Sequence, residues 1–120
     1  MKLLPLYALG RGAFGAAALL APASTGRLLA GRGGTEPDAQ AFLRGMGGRE
    51  IALAYGLAHA LRRGGESRHW LIAGVLSDCG DMVGIAGAWQ EMDPSKRWPG
   101  LSFGALAAAT GLGLLATGIS

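Results

Sequence analysis

Four apolar stretches, each about as long as a helix that crosses a lipid bilayer, constrain this chain more than any other feature of its sequence. They cover about residues 3–23, 39–61, 70–90 and 101–119. A helix needs roughly 20 mostly apolar residues to span a hydrocarbon core that is about 30 Å thick. Polar segments rich in Gly and Pro, which favour turns, connect the stretches. The sequence therefore predicts an all-α fold: an integral membrane protein built as an antiparallel bundle of four transmembrane helices.

Composition favours a single membrane domain over residues 1–120 and excludes several classes of function. Only 16% of the residues are charged, whereas soluble domains carry about 25%. A soluble bundle would show a polar stripe on each helix, and residues 101–119 contain only Ser and Thr as polar residues. The 11 basic residues are scattered and aromatic residues are few, so we expect no nucleic-acid partner. The single cysteine excludes an internal disulfide and a multi-cysteine metal site.

Charged side chains fall near the middle of three of the four apolar stretches. These five residues, which we call the charged layer, are Arg11, Arg49, Glu50, Asp78 and Asp81. A charge at the bilayer centre costs about 2.5–3.5 kcal/mol on insertion scales, so charges within membranes face the bundle interior and pair with one another. We therefore expect the charged layer to lie inside the bundle.

The turns predict which of these residues lie at the same depth, because residues equidistant from a turn are level in an antiparallel hairpin. Counting from the turn between the second and third stretches places Glu50 level with Asp81. Counting from the first connector places Arg11 level with Ile51. Asp78 and Asp81 are three residues apart and so share a helix face.

Two roles for the charged layer stay open at this point. The first is structural: we expect Arg49 to hold Asp81 or Asp78 through the paired hydrogen bonds that a guanidinium forms with a carboxylate, which would fix helix register. The second is a binding or proton-handling site, a common role for ionisable groups within membranes. Two arginines and three carboxylates give a formal charge of −1, which one protonated carboxyl would neutralise.

Arg44 and His59 are secondary candidates, because both lie away from the centre of the second stretch. We expect Arg44 to extend towards the lipid head groups, as long basic side chains do near helix ends. His59 and His69 are expected at the same membrane interface and Cys79 deeper, so the three do not form a ligand set. We therefore predict neither a metal site nor a cofactor.

Small residues spaced four apart predict which helix faces pack closely, since they let backbones approach. Such pairs are Gly48/Ala52 and Ala52/Gly56 in the second stretch, Gly80/Gly84 and Gly84/Ala88 in the third, and Gly104/Ala108 in the fourth. They serve either packing within the bundle or a seam between two copies of the chain, and the sequence does not separate these uses.

Three segments carry a resemblance to a known family. They read FLRGMGGREIALAYGLAHALRRG, RHWLIAGVLSDCGDMVGIAGAW and GLSFGALAAATGLGLLATGI. The pattern of an Arg-x-x-Gly-x-Arg-like second helix, an Asp-x-x-Asp third helix and a Gly- and Ala-rich last helix resembles small four-helix membrane proteins classed as domain of unknown function 4267. The likeness covers residues 39–119, and the first motif reads RGMGGR from Arg44 to Arg49. The resemblance implies an integral membrane bundle in which Arg49, Asp78 and Asp81 matter, and it implies no reaction.

The sequence predicts a multi-pass protein of the cytoplasmic membrane, surrounded by lipid, whose partner is a second copy or another membrane protein. Each predicted side carries four basic residues, so charge does not predict the orientation. We expect a structural or accessory role. Two alternatives stay open: a membrane enzyme that acts on a lipophilic small molecule through carboxyl acid–base chemistry, and a proton-linked carrier of a small solute.

Overall fold

The computed structural model of the protein describes residues 3–117, and all regular structure in that range is helical. The elements are α1 (Leu3–Leu20), α2 (Pro22–Ala30), a short 3-10 helix (Gly31–Thr35), α3 (Pro37–Arg62), α4 (Arg68–Gly87) and α5 (Pro94–Ala116). The all-α prediction is confirmed, but these residues form five α-helices rather than the predicted four. Ile119, the expected end of the fourth stretch, lies outside the described residues.

Some helix ends differ from the predicted ones, and a proline accounts for the end of α1. Pro22 has no N–H and its ring clashes with a continuing helix, so α1 ends at Leu20 rather than near residue 23. Pro22 instead lies in the first turn of α2, where a missing N–H breaks no hydrogen bond. This short helix occupies part of the segment predicted to be a connector. α4 ends at Gly87 rather than near residue 90.

α5 begins at Pro94 rather than at about residue 101, because Asp93 caps it. The Asp93 carboxylate accepts hydrogen bonds from the Ser95 hydroxyl at 2.7 Å and from the Ser95 backbone N–H at 3.0 Å. These bonds hold the pKa of Asp93 below its usual range. They also satisfy a backbone donor that the first turn of a helix leaves free. Pro99 lies inside this helix.

Three of the described helices are long and apolar enough to cross a membrane: α1 with 18 residues, α4 with 20 and α5 with 23. Large apolar side chains such as Leu9, Leu76 and Leu106 are exposed on their outer surfaces. Extensive exposed apolar surface marks contact with a membrane or a partner. α3 is longer, at 26 residues, but its charged side chains make it less apolar than the other three.

The four long helices associate as two antiparallel pairs, α1 with α3 and α4 with α5. In the first pair the backbones touch, since a Cβ added to Gly47 would lie 2.6 Å from the carbonyl oxygen of Gly15. In the second pair a Cβ added to Gly104 would lie 2.9 Å from Cγ of Met82. Glycine at these positions allows each pair to close, as small residues do between membrane helices.

Helix α3 packs closely through only one of the three small residues in its predicted pairs, Gly56, which is buried and whose added Cβ would lie 2.3 Å from the Trp70 ring. Gly48 has no atom within 4 Å of an added Cβ, and Ala52 is exposed. Gly80 and Gly84 of α4 have equally open surroundings. The rotation of α3 about its own axis explains this difference, because Gly47, rather than Gly48, faces α1. The predicted small-residue pairs on α3 and α4 are therefore left mostly on outward or cavity-facing surfaces.

Candidate functional site

Arg11 is the centre of the charged layer. It lies midway along α1, and its side chain is only 8% exposed. Its Nη1 donates to Oε2 of Glu50, and its Nη2 donates to Oδ2 of Asp78 and to the carbonyl oxygen of Gly74 at 3.0 Å. Its Nε donates to the Tyr7 hydroxyl at 3.2 Å. One guanidinium therefore joins α1 to both α3 and α4.

Two residues that the sequence did not identify as site residues, Tyr7 and Gly74, contact the side chain of Arg11. Tyr7 precedes Arg11 by one helical turn, and its ring centroid lies 5.3 Å from Cζ of Arg11, within the range of a cation–π contact. Gly74 leaves room for the guanidinium, because an added Cβ would lie 3.1 Å from Nη2 of Arg11. The four-residue spacing of Tyr7 and Arg11 was the available signal for the first contact. No local signal identifies Gly74, which lies on another helix.

Arg49 forms the outer half of the charged layer. Its Nη2 donates to Oδ1 and Oδ2 of Asp81 at 3.2 and 3.0 Å, and to Oε1 of Glu50 at 3.1 Å. The side chains of Arg49 and Asp81 are 39% and 36% exposed. Of the two expected partners, Arg49 holds Asp81, while Asp78 bonds to Arg11. A single nitrogen serves both oxygens of Asp81, so the expected pair of parallel hydrogen bonds does not form.

Glu50 connects the two halves of the charged layer. Its Oε2 accepts from Arg11 and its Oε1 accepts from Arg49, so both arginines share one buried carboxylate. The Ser77 hydroxyl also approaches Oε1, at 3.5 Å. The five charges thus form one network across α1, α3 and α4. Their formal sum is −1, from two arginines and three carboxylates.

The three carboxylates do not have the surroundings of a vacant metal centre. One oxygen from each of Glu50, Asp78 and Asp81 lies within 4.8 Å of the others, a spacing that a metal ion would accept. Each carboxylate nevertheless accepts from an arginine, so guanidinium groups already supply the positive charge that a metal would supply. The absence of a metal and of a cofactor stays a prediction.

The secondary candidates lie apart from this network. Arg44 is exposed on α3. His59 is also exposed, and its ring centroid lies 5.8 Å from that of Tyr55. Within residues 3–117, neither Arg44 nor His59 forms an ion pair with the charged layer.

An apolar cavity of about 680 Å³ lies beside the charged layer. All five α-helices contribute to its wall, with Leu6, Leu29, Met46, Ile85 and Phe103 among the lining residues. Every member of the charged layer except Arg49 lines its polar part. Sequence reasoning missed the cavity, because its wall is drawn from positions spread along the whole chain.

No family model, curated protein or solved structure matches this chain. The resemblance to the four-helix family therefore stays a prediction.

Proposed function

We propose that this chain is a multi-pass protein of the cytoplasmic membrane in which α1, α3, α4 and α5 all span the bilayer. The packing of α3 supports its inclusion: it runs antiparallel to α1, with Gly47 against Gly15 and Glu50 bonded to Arg11. If α1 crosses the membrane, the middle of α3 lies at the same depth. The longest dimension of the described chain, 43 Å, matches a bilayer of about 40–45 Å with its head groups.

We propose a structural or accessory role for the bundle. The observation that carries this proposal is that each of the three carboxylates accepts a hydrogen bond from an arginine, and that these bonds cross between helices. Such pairs hold three helices in one register. General acid–base catalysis needs a carboxyl that is free to take up and release a proton beside a substrate, so the pairing of every carboxylate with an arginine supports the structural role over the enzyme.

The proposed partner is a second copy of the chain or another membrane protein. Gly45 and Gly48 on α3 have no atom within 4 Å of an added Cβ, and Ala52 is exposed beside them. Small residues on an outer face allow the backbone of another membrane helix to approach. The bilayer itself surrounds the remaining apolar surface.

The topology test asks whether α3 crosses the bilayer. In a Cys79→Ser background, single cysteines replace Gly33, Glu66 or Ser95, and intact cells are treated with a maleimide that does not cross membranes. We expect Gly33→Cys and Ser95→Cys to react from one side and Glu66→Cys only from the other, since four spans put the α3–α4 turn opposite the other two connectors. Labelling of Gly33→Cys and Glu66→Cys from the same side would show that α3 does not span. Detergent-permeabilised cells, in which all three react, are the control.

A proton-linked carrier of a small solute is the second candidate, because the cavity reaches the charged layer. Asp81 is the carboxylate to test, since it lines this cavity and its side chain is 36% exposed. In proteoliposomes, a carrier would couple uptake of a solute to proton movement, and Asp81→Asn would abolish the coupling without unfolding the bundle. No proton-coupled uptake by the unsubstituted protein would contradict the carrier, and coupling that survives the substitution would show that Asp81 is not the coupling group.

A further inference from the structure

The apolar cavity beside the charged layer has the size and lining of a small-molecule site. Its volume of about 680 Å³ falls within the roughly 300–1,000 Å³ of sites that bury drug-sized ligands. Its wall is mostly apolar, and the Phe14 and Phe103 rings that line it have centroids 5.5 Å apart. Its charged groups belong to the charged layer alone. This combination suits a ligand with an apolar body and one polar end.

The charged groups determine the sign of that polar end. Three carboxylates and one guanidinium line the cavity, since Arg49 contacts the charged layer from outside it. Arg11 already donates to four groups, which leaves little capacity for an anion. Asp78 lines the cavity, and its Oδ1 accepts no hydrogen bond from residues 3–117. This oxygen is not among the buried atoms that lack a partner, so it is open to a ligand that donates.

The charge of the whole layer specifies how much positive charge the ligand carries. The layer sums to −1, and an uncompensated charge in an apolar interior is costly. One positive group brings the sum to zero, whereas a divalent metal ion would change it to +1. Oxygens of Glu50, Asp78 and Asp81 lie within 4.8 Å of one another, so the three donors of one ammonium group can reach more than one carboxylate.

We propose that the cavity binds a lipophilic amine in its protonated form, with the ammonium group against Asp78 and Asp81 and the apolar body beside Phe14 and Phe103. We expect the ligand to enter from the lipid, because Leu6 and Leu106 line the cavity and are 61% and 68% exposed. This site goes beyond the structural role and does not require transport. Binding of a proton by one carboxylate would also bring the charge of the layer to zero, and the cavity would then show no preference for an amine.

The first test compares three probes that share one apolar body. Naphthylethylamine is positive, naphthylethanol is neutral and naphthylpropanoate is negative at neutral pH. Equilibrium dialysis of the protein in lipid nanodiscs, against empty nanodiscs, measures saturable binding above partition into lipid. We expect naphthylethylamine to bind at least about tenfold more tightly than naphthylethanol, because hydrogen bonds to charged groups contribute more than neutral ones. Equal affinities of the amine and the alcohol, or a preference for the propanoate, would overturn the proposal.

Two matched pairs of variants then locate the site. Asp81→Asn is expected to lower the affinity for naphthylethylamine about tenfold while leaving that for naphthylethanol unchanged, and Glu91→Gln, an acid outside the cavity, changes neither. Gly84→Leu fills the cavity and is expected to abolish saturable binding, whereas Gly87→Leu on the same helix lies outside it. Saturable binding that survives Gly84→Leu contradicts the site. Because labelling reports topology independently, failure here leaves the four-span proposal standing.

Discussion

Arg11 and Arg49 are the same residue type, belong to the same charged layer and both donate to Glu50, but their surroundings differ. Arg11 is 8% exposed and reaches α4 through the buried Asp78, whereas Arg49 is 39% exposed and reaches α4 through Asp81, which is 36% exposed. A buried carboxylate that loses its partner finds no other, whereas an exposed one has room to move towards another partner. The difference teaches that depth along the helices does not by itself decide what a charge contributes; burial and the number of partners do.

Substitution of the buried Arg11 has the largest expected effect on stability. Arg11→Met leaves Glu50 without one arginine and Asp78 without any, both buried, and loss of one member of a buried ion pair costs about 3–5 kcal/mol. We expect this loss in the free energy of unfolding in detergent micelles, followed by tryptophan fluorescence. Arg49→Met is the matched control and should lose much less. Equal losses in the two variants would show that burial does not distinguish the arginines.

A triple variant tests whether the loss in Arg11→Met comes from uncompensated charge. Arg11→Met combined with Glu50→Gln and Asp78→Asn removes the uncompensated charges together with the arginine. Replacing a whole buried ion-pair set with uncharged residues is often close to neutral, so most of the stability lost in Arg11→Met should return. A triple variant as unstable as Arg11→Met would mean that the arginine contributes through packing rather than through charge.

Gly47→Ala tests the backbone contact that brings Glu50 to Arg11. The added Cβ would lie 2.6 Å from the carbonyl oxygen of Gly15 and 2.8 Å from the backbone nitrogen of Leu19, so the helices must separate. Overpacking of this kind costs about 1–3 kcal/mol of unfolding free energy. Gly48→Ala has no atom within 4 Å of its new methyl group, and Ala is the better helix former, so this control should not lose stability. A smaller loss for Gly47→Ala than for Gly48→Ala would contradict the observed rotation of α3.

The smallest effect is expected for the outer pair. In a double-mutant cycle with Arg49→Gln and Asp81→Asn, we expect a coupling energy of about 0.6 kcal/mol, the average for polar pairs between membrane helices. The cycle with Arg11→Gln and Asp78→Asn should give a larger value, because that pair is buried. Unfolding titrations of both sets in the same micelles provide the measurement. Equal coupling energies at the two pairs would show that burial does not strengthen the Arg11–Asp78 pair relative to the Arg49–Asp81 pair.

The position of the charged layer along the helices followed closely from the sequence. Arg11 was expected level with Ile51 and bonds to the neighbouring Glu50; Glu50 was expected level with Asp81, which bonds to the neighbouring Arg49. These estimates need only a constant rise of about 1.5 Å per residue and the location of each turn. The existence of α1, α3, α4 and α5 followed equally from their apolar lengths.

Tertiary structure alone decided which arginine is buried, which glycine touches a neighbouring helix and where the cavity lies. Successive residues of a helix point about 100° apart, since a turn holds 3.6 residues, so a change of one position moves a side chain to another face. Arg49 and Glu50, like Gly47 and Gly48, are adjacent in the chain and equivalent by depth, but only one of each pair is buried. Depth is a property of one helix and can be counted from the sequence. Rotation is set by all the contacts that the helix makes with its neighbours, and the cavity is the space those contacts leave unfilled.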